Sequence, residues 1–187
     1  MRVLGISGSL RQGSFNTALL RADAERLPAG VELVEFEGLR KVPPYDEDLD
    51  AAGGSDAAEA LRQAVRDADA VLVATPEYNS SIPGQLKNAF DWVSRPAGRS
   101  ALNGKPAAIV GASTGMFGAV WAQAELRKVL AAMGGRVIDA ELPVGHAREL
   151  VVDGRLELPP ELSRQLEEIL AELAAAAERE SELVVAA

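Results

Sequence analysis

Short polar side chains and one arginine follow the first apolar run of the chain, and together they are suited to holding an anion. The apolar residues Val3 and Leu4 lead into a stretch that contains the side-chain donors Ser7, Ser9, Arg11, Ser14, Asn16 and Thr17. A helical pattern begins at about Thr17 and continues to Leu27. Because the first turn of a helix has N–H groups without internal acceptors, this strand–turn–helix order predicts a phosphate site.

The glycine spacing separates the kinds of phosphate loop. Gly8 and Gly13 have the spacing of a triphosphate loop, but Ser14 stands where that loop needs a lysine. The dinucleotide pattern G-x-G-x-x-G is not met either, because Gly5, Gly8 and Gly13 are spaced differently. Hydroxyl donors with a single arginine suit a terminal monophosphate. The alternative is a serine- and glycine-rich turn that only caps a helix.

The composition excludes several classes of function. The 187 residues include 28 acidic and 19 basic side chains, and the net charge of −9 argues against nucleic acid or an anionic membrane as partner. With no cysteine and one histidine, the chain has no disulfides, no thiol catalysis and no histidine-rich metal centre. No stretch approaches the roughly 20 apolar residues of a membrane span, and no cleavable signal is evident. We therefore expect a cytoplasmic protein with a single domain over residues 1–187.

Hydrophobic patterns predict strands and helices in alternation. After the first strand at Val3 and Leu4, strands are predicted at 31–36, 70–74, 107–110 and 136–140. Helices are predicted at 17–27, 55–66, 85–95, 119–133 and 160–180. This order predicts an α/β fold with a doubly wound, five-stranded parallel sheet and helices on both faces. The polar face of 31–36 indicates a sheet edge, and the long connection 37–55 is predicted to be a solvated loop, or else a lid or interface element.

The carboxyl ends of the strands are where this fold class binds ligands, at the point where the strand order reverses. We expect three loops to converge there: the first loop already described, a second at 75–84 and a third at 111–118. Three segments that are distant in sequence would then form one site.

Two segments resemble one known family. Residues 8–16, GSLRQGSFN, resemble the first loop of the NADPH-dependent FMN reductases, a flavodoxin-like family that includes quinone, chromate and azo-dye reductases. Residues 76–92, PEYNSSIPGQLKNAFDW, resemble the segment that follows the third strand of that family. The two motifs occur in the same order as in the family, and the similarity extends to about Ala140.

The resemblance implies a flavodoxin-like fold that binds FMN, with NADPH or NADH as co-substrate. It implies an oxidoreductase that passes electrons to quinones, azo compounds, metal oxyanions or free flavin, and a homodimer or homotetramer. Hydride transfer would be carried by FMN, with no catalytic side chain and with backbone N–H groups at a helix start stabilising the charge of the reduced ring. The implied cofactor-binding residues are Ser9, Arg11, Ser14, Phe15, Asn16, Pro76, Glu77, Tyr78, Asn79, Ser113, Thr114 and Gly115.

Four further side chains have their own expectations. Glu77 is a weak candidate for a general base, because it has no evident partner. Trp92 is expected in the core or at a subunit contact and not at the flavin, and His146 is expected on the surface. Trp121 stands where the family often has an arginine, so the chain lacks a cation there that would contact a second subunit or the dinucleotide.

Two other functions remain open at this point. One is a flavodoxin-like electron carrier that binds FMN but does not turn over NAD(P)H efficiently. The other is a phosphate-binding interaction module without flavin. Purified protein that is yellow would exclude the second, and rapid reduction by NADPH would exclude the first.

Overall fold

A mostly parallel sheet forms the centre of the protein. The computed structural model describes residues 1–153 and 155–185, with Asp23 and residues 181–185 described by their backbone alone. The parallel strands are β1 (Arg2–Ser7), β2 (Glu32–Glu35), β3 (Ala70–Ala74), β4 (Pro106–Ala112) and β5 (Arg136–Val137). Their order is β2-β1-β3-β4-β5, so the order reverses between β1 and β3. This topology confirms the predicted flavodoxin-like, doubly wound sheet.

Helices cover both faces of this sheet. They are α1 (Phe15–Ala24), α2 (Glu47–Ala51), α3 (Asp56–Asp67), α4 (Gly84–Val93), α5 (Val120–Ala132) and α6 (Pro160–Val185). Alternate strand residues face opposite ways, so Val71 and Val73 pack with α3, α4 and α5, whereas Leu72 packs with α1 and α6. None of the helices in the described part of the chain combines the length and apolarity that a membrane crossing requires.

The last strand is split into two short pieces, which differs from the single strand predicted at 136–140. β5 pairs with the start of β4 only at Arg136 and Val137, and β6 (Pro143–Val144) pairs with its end at Gly111 and Ala112. Between the two pieces the guanidinium of Arg127 donates to the carbonyls of Ile138 and Ala140, each at 2.7 Å. The side chain of α5 therefore satisfies carbonyl groups that the sheet leaves free. A short antiparallel pair, β7 (Val151–Val152) and β8 (Arg155–Leu156), follows.

The connection 37–55 is more ordered than a solvated loop. It contains a 3₁₀ turn at Leu39–Lys41 and the helix α2, and Leu39 and Val42 are buried. The indole N–H of Trp92, which is fully buried as predicted, donates to the carbonyl of Pro43 at 2.9 Å. The prediction of a loop was wrong for this first part, because its apolar residues complete the core over α4. Ser55 caps α3 as predicted, accepting the N–H of Ala58 at 3.2 Å.

Candidate functional site

The loops after β1, β3 and β4 lie side by side at the carboxyl ends of the strands. Gly8 donates its N–H to the carbonyl of Ala74 at 2.8 Å, and Thr75 donates to the carbonyl of Val110 at 2.9 Å. A Cβ atom at Gly8 would lie 2.7 Å from a side-chain carbon of Leu86. The same atom would lie 3.2 Å from the ring of Pro76, so glycine at this position lets the first loop pack closely on α4 and on the second loop.

A cleft of about 340 Å³ opens between these three loops. Most of the predicted site residues line it, namely Ser9, Arg11, Ser14, Phe15, Asn16, Pro76, Glu77, Tyr78, Ser113 and Thr114. Asn79 and Gly115 are not among the residues that line it, whereas Ala112 and Arg148 are, although the sequence did not point to them. Larger grooves of about 520 and 510 Å³ lie beside β8 and α2. We place the site in the smaller cleft because it lies where the strand order reverses.

The start of α1 has a row of unused backbone donors, and Ser14, Phe15 and Asn16 of this row line the cleft. Ser14 caps the helix, since its hydroxyl oxygen accepts the N–H of Thr17 at 3.2 Å. Gly13 has φ of 64°, a left-handed conformation that turns the chain into the helix. No acceptor in the described part of the chain receives the N–H groups of Gln12, Gly13, Ser14, Phe15 and Asn16. Consecutive free N–H groups at a helix start favour an anion.

Arg11 supplies positive charge next to these donors. Its guanidinium lies 4.9 Å from the centre of the Phe15 ring and donates to the carbonyl of Gln12 at 3.3 Å. Within the described residues it makes no ion pair with a carboxylate. Phe15 therefore holds the cation beside the cleft through a cation–π contact, and the charge stays available for a ligand.

Asn16 joins the first loop to the third. Its buried amide donates to the carbonyl of Ala112 at 2.9 Å and accepts the N–H of the same residue at 2.9 Å. The side chain is therefore committed to the end of β4, and it acts on the cleft by fixing the relative position of two walls. Its backbone N–H has no acceptor in the part of the chain that the structure describes.

Two carboxylates tie the second loop to α5. One oxygen of Glu77 accepts the N–H groups of Trp121 and Ala122 at 3.0 and 3.1 Å, so that Glu77 caps this helix. Glu125 accepts the hydroxyl of Ser81 at 2.6 Å. Because the Glu77 carboxylate is engaged by backbone donors, the structure gives it a positioning role.

Substituting Glu77 separates this positioning role from that of a general base. Glu77→Ala is expected to lower the free energy of unfolding by about 1–2 kcal/mol, because α5 loses its cap and a charge near its positive end. Glu77→Gln should recover part of this loss, since an amide oxygen still accepts the two N–H groups. Urea unfolding of both variants measures the effect. Unchanged stability in Glu77→Ala would contradict the capping role, whereas activity that Glu77→Gln abolishes while stability is retained would make Glu77 a general base as well.

The tip of the second loop is a tight turn. Tyr78 and Ser81 exchange two backbone hydrogen bonds of 3.1 Å, and Asn79 and Ser80 between them have φ of 53° and 58°. This turn leaves the Tyr78 side chain 54% exposed at the mouth of the cleft. Asn79 therefore serves the shape of the turn, because asparagine adopts left-handed angles more readily than most residues.

The third loop offers backbone donors of its own. The N–H groups of Thr114 and Gly115 have no acceptor in the described part of the chain. The N–H groups of Trp121 and Ala122 at the start of α5 are not free in this way, because Glu77 accepts them. Donors for negative charge on this side of the cleft are therefore those of the loop itself.

Large apolar side chains are exposed beside the cleft. Met116, Phe117 and Trp121 are 65%, 53% and 47% exposed, and the rings of the latter two meet edge to face at 5.0 Å. Of these side chains and Tyr78, only Tyr78 lines the cleft, but the N–H of Trp121 donates to Glu77, so that together they form an exposed apolar rim beside it. His146 lies nearby on the surface, as predicted, and its backbone N–H donates to the carbonyl of Gly115 at 3.1 Å.

Known proteins with similar sequences and structures agree on one family. The model of the family described as NADPH-dependent FMN reductase matches residues 1–149. An NAD(P)H-dependent FMN reductase of Pseudomonas aeruginosa is 50% identical over 130 residues, which are 70% of this chain and 69% of that protein. A quinone reductase of Escherichia coli strain K12 is 39% identical over 154 residues, which are 82% of this chain and 81% of that protein.

A solved structure extends the similarity to nearly the whole chain. It is FerB, a flavoenzyme described as an NAD(P)H:acceptor oxidoreductase from Paracoccus denitrificans. The two are 31% identical, with a TM-score of 0.82 over 96% of this chain and 98% of FerB.

Proposed function

The chain belongs to the NADPH-dependent FMN reductase family and is an oxidoreductase that uses FMN and NAD(P)H, and from that premise we propose which of its residues hold the cofactor. The observation that carries the proposal is the row of free N–H groups at residues 12–16, of which Ser14, Phe15 and Asn16 line the cleft at the strand-order reversal. These N–H groups would donate to the phosphate of FMN. Ser9, Arg11 and Ser14 add side-chain donors around it.

The remaining residues of the cleft position the flavin ring. Pro76, Glu77 and Tyr78 line the cleft and would hold the flavin ring, and Ser113 and Thr114, which also line it, would hold the pyrimidine edge of the ring. Bound FMN supplies the hydride chemistry, accepting from NAD(P)H and passing electrons to the acceptor. The free N–H groups of Thr114, which lines the cleft, and of its neighbour Gly115 would stabilise negative charge at that edge. Asn16 and Asn79 contribute by holding the loops in place.

The decisive experiment is a cofactor analysis of protein purified without added flavin. We expect yellow protein that releases FMN on denaturation and that NADPH or NADH bleaches rapidly, with colour restored by a quinone. Colourless protein that takes up no added FMN would refute the site. Slow bleaching with bound FMN would instead assign the chain to the electron carriers.

Arg11→Ala tests the phosphate end of the site. The variant is expected to bind FMN about 1.5–3 kcal/mol more weakly, the usual contribution of a hydrogen bond to a charged group. Riboflavin, which has no phosphate, should bind wild type and variant equally. Fluorescence titration with both ligands measures this, and unchanged FMN affinity would count against the phosphate assignment.

We also propose an electron acceptor, an oligomeric state and a cellular location for the protein. Quinones are the proposed acceptors, because the apolar rim of Tyr78, Phe117 and Trp121 suits planar apolar molecules. Azo compounds, metal oxyanions and free flavin belong to the same proposal.

We also propose a homodimer or homotetramer, since exposed apolar residues of this size commonly mark an interface. Light scattering of the purified protein measures its mass, and a cytoplasmic protein with a single domain is part of the same proposal.

A further inference from the structure

Arg148 enters the cleft from a segment that the family resemblance in the sequence did not include. It lies in residues 145–150, directly after β6, and lines the same cleft as Arg11 and Ser14. The neighbouring backbone is fixed, because Ala147 donates its N–H to the carbonyl of Ser113 at 2.9 Å and is itself buried. The position of Arg148 is therefore determined by the third loop.

Close packing between the two segments reinforces this position. A Cβ atom at Gly145 would lie 2.3 Å from the carbonyl oxygen of Met116, so the segment that carries Arg148 rests directly on the third loop. His146 adds a second backbone hydrogen bond to this loop, to the carbonyl of Gly115 at 3.1 Å. An arginine on so constrained a backbone loses less freedom when its guanidinium binds a ligand.

Two guanidinium groups that line the cleft have no carboxylate partner among the described residues. These are Arg11 and Arg148, neither of which makes an ion pair within the described residues. The acidic side chain that lines the cleft, Glu77, is engaged by the N–H groups of α5. Glu149, next in sequence to Arg148, has its carboxylate 3.7 Å from the imidazole of His146. In a chain of net charge −9, this cleft is cationic.

We propose that Arg148 is a second arginine ligand of the FMN phosphate, which it would approach from the segment after β6, whereas Arg11 belongs to the loop after β1. A phosphate monoester carries a charge of about −1.5 to −2 at pH 7, so a single arginine leaves it incompletely neutralised. Arg11 and the free N–H groups belong to the α1 side of the cleft, whereas Arg148 belongs to the segment after β6. The inference rests on the FMN site proposed above and adds a residue to it.

The test compares the binding of FMN with that of riboflavin by the 187-residue chain freed of flavin. Arg148→Gln is expected to bind FMN about tenfold more weakly, because it loses a charge-assisted hydrogen bond, while its affinity for riboflavin stays unchanged. Arg148→Lys, which keeps the charge, should recover part of the FMN affinity. Arg155→Gln is the matched control, since Arg155 lies in β8 and lines the neighbouring groove instead of this cleft. It should bind both ligands like wild type. Thermal unfolding checks that each variant is folded.

The outcomes separate this inference from the proposed function. If Arg148→Gln weakens FMN and riboflavin equally, Arg148 contacts the ring or supports the fold, and the phosphate role is overturned. Unchanged FMN affinity in Arg148→Gln, with tight FMN binding by wild type, overturns the role of Arg148 alone. If wild type binds neither ligand, the FMN site itself is refuted and the role of Arg148 with it.

Discussion

Replacing Asn16 with alanine is expected to lower the free energy of unfolding by about 2–4 kcal/mol and to weaken FMN binding as well. The amide of Asn16 is the partner of both backbone groups of Ala112, and both residues are buried. Alanine would leave a buried N–H and a buried carbonyl without partners, and each costs about 1–3 kcal/mol. The start of α1 and the end of β4 would then no longer be held together. Urea unfolding and FMN titration measure the two effects.

Gln12→Ala provides the control for Asn16→Ala. Gln12 is exposed in the same loop, and its side chain makes no hydrogen bond within the described residues. Its replacement should change stability by no more than about 0.5 kcal/mol. Equal unfolding midpoints for the two variants would show that the Asn16 amide does not join the two loops.

Gly118→Ala is expected to destabilise the fold by about 2–5 kcal/mol. Gly118 has φ of 56°, and a Cβ atom there would lie 2.2 Å from the carbonyl carbon of Pro143. This neighbour is backbone of β6, so relief of the clash requires β6 to move away from the third loop. Hydrogen exchange should then show faster exchange of the N–H groups of Ser113 and Ala147, which bridge the two segments.

Gly98→Ala is the control that separates the cost of the Cβ contact with β6 from the cost of placing alanine at a positive φ. Gly98 has φ of 75°, but a Cβ atom there would meet nothing within 4 Å among the described residues. Its variant therefore carries the conformational cost without the contact. Urea unfolding of the two variants gives the difference between them, which should exceed about 1 kcal/mol. If the two variants lost the same free energy of unfolding, β6 would be able to move away from the third loop at little cost, and the two would not be tightly packed.

The sequence predicted the walls of the site better than the contacts within them. The apolar run Ala70–Ala74 predicted β3 to the residue, because a strand buried on both faces has an unbroken apolar pattern. The loops after β1, β3 and β4 followed from the order of elements. The pairing of Asn16 with Ala112 was not predictable, because these residues are 96 positions apart and only the fold brings them together.

Arg148 and the split last strand were missed for a related reason. β5 and β6 have two residues each, too few for an alternating pattern to be recognised. Arg148 follows β6, so no element predicted from the sequence could place it beside the cleft. Trp121 is expected from the sequence to depart from the usual residue of the family, but its exposure next to Phe117 depends on the local path of the third loop.

The different settings of the two tryptophans make them separate optical probes. Trp92 is sealed in the core over α4, so its emission changes when that core is exposed to water. Trp121 stands half in solvent near the mouth of the cleft, where a bound chromophore would accept its excitation energy. Fluorescence can therefore follow unfolding through one residue and ligand uptake through the other, without an attached dye.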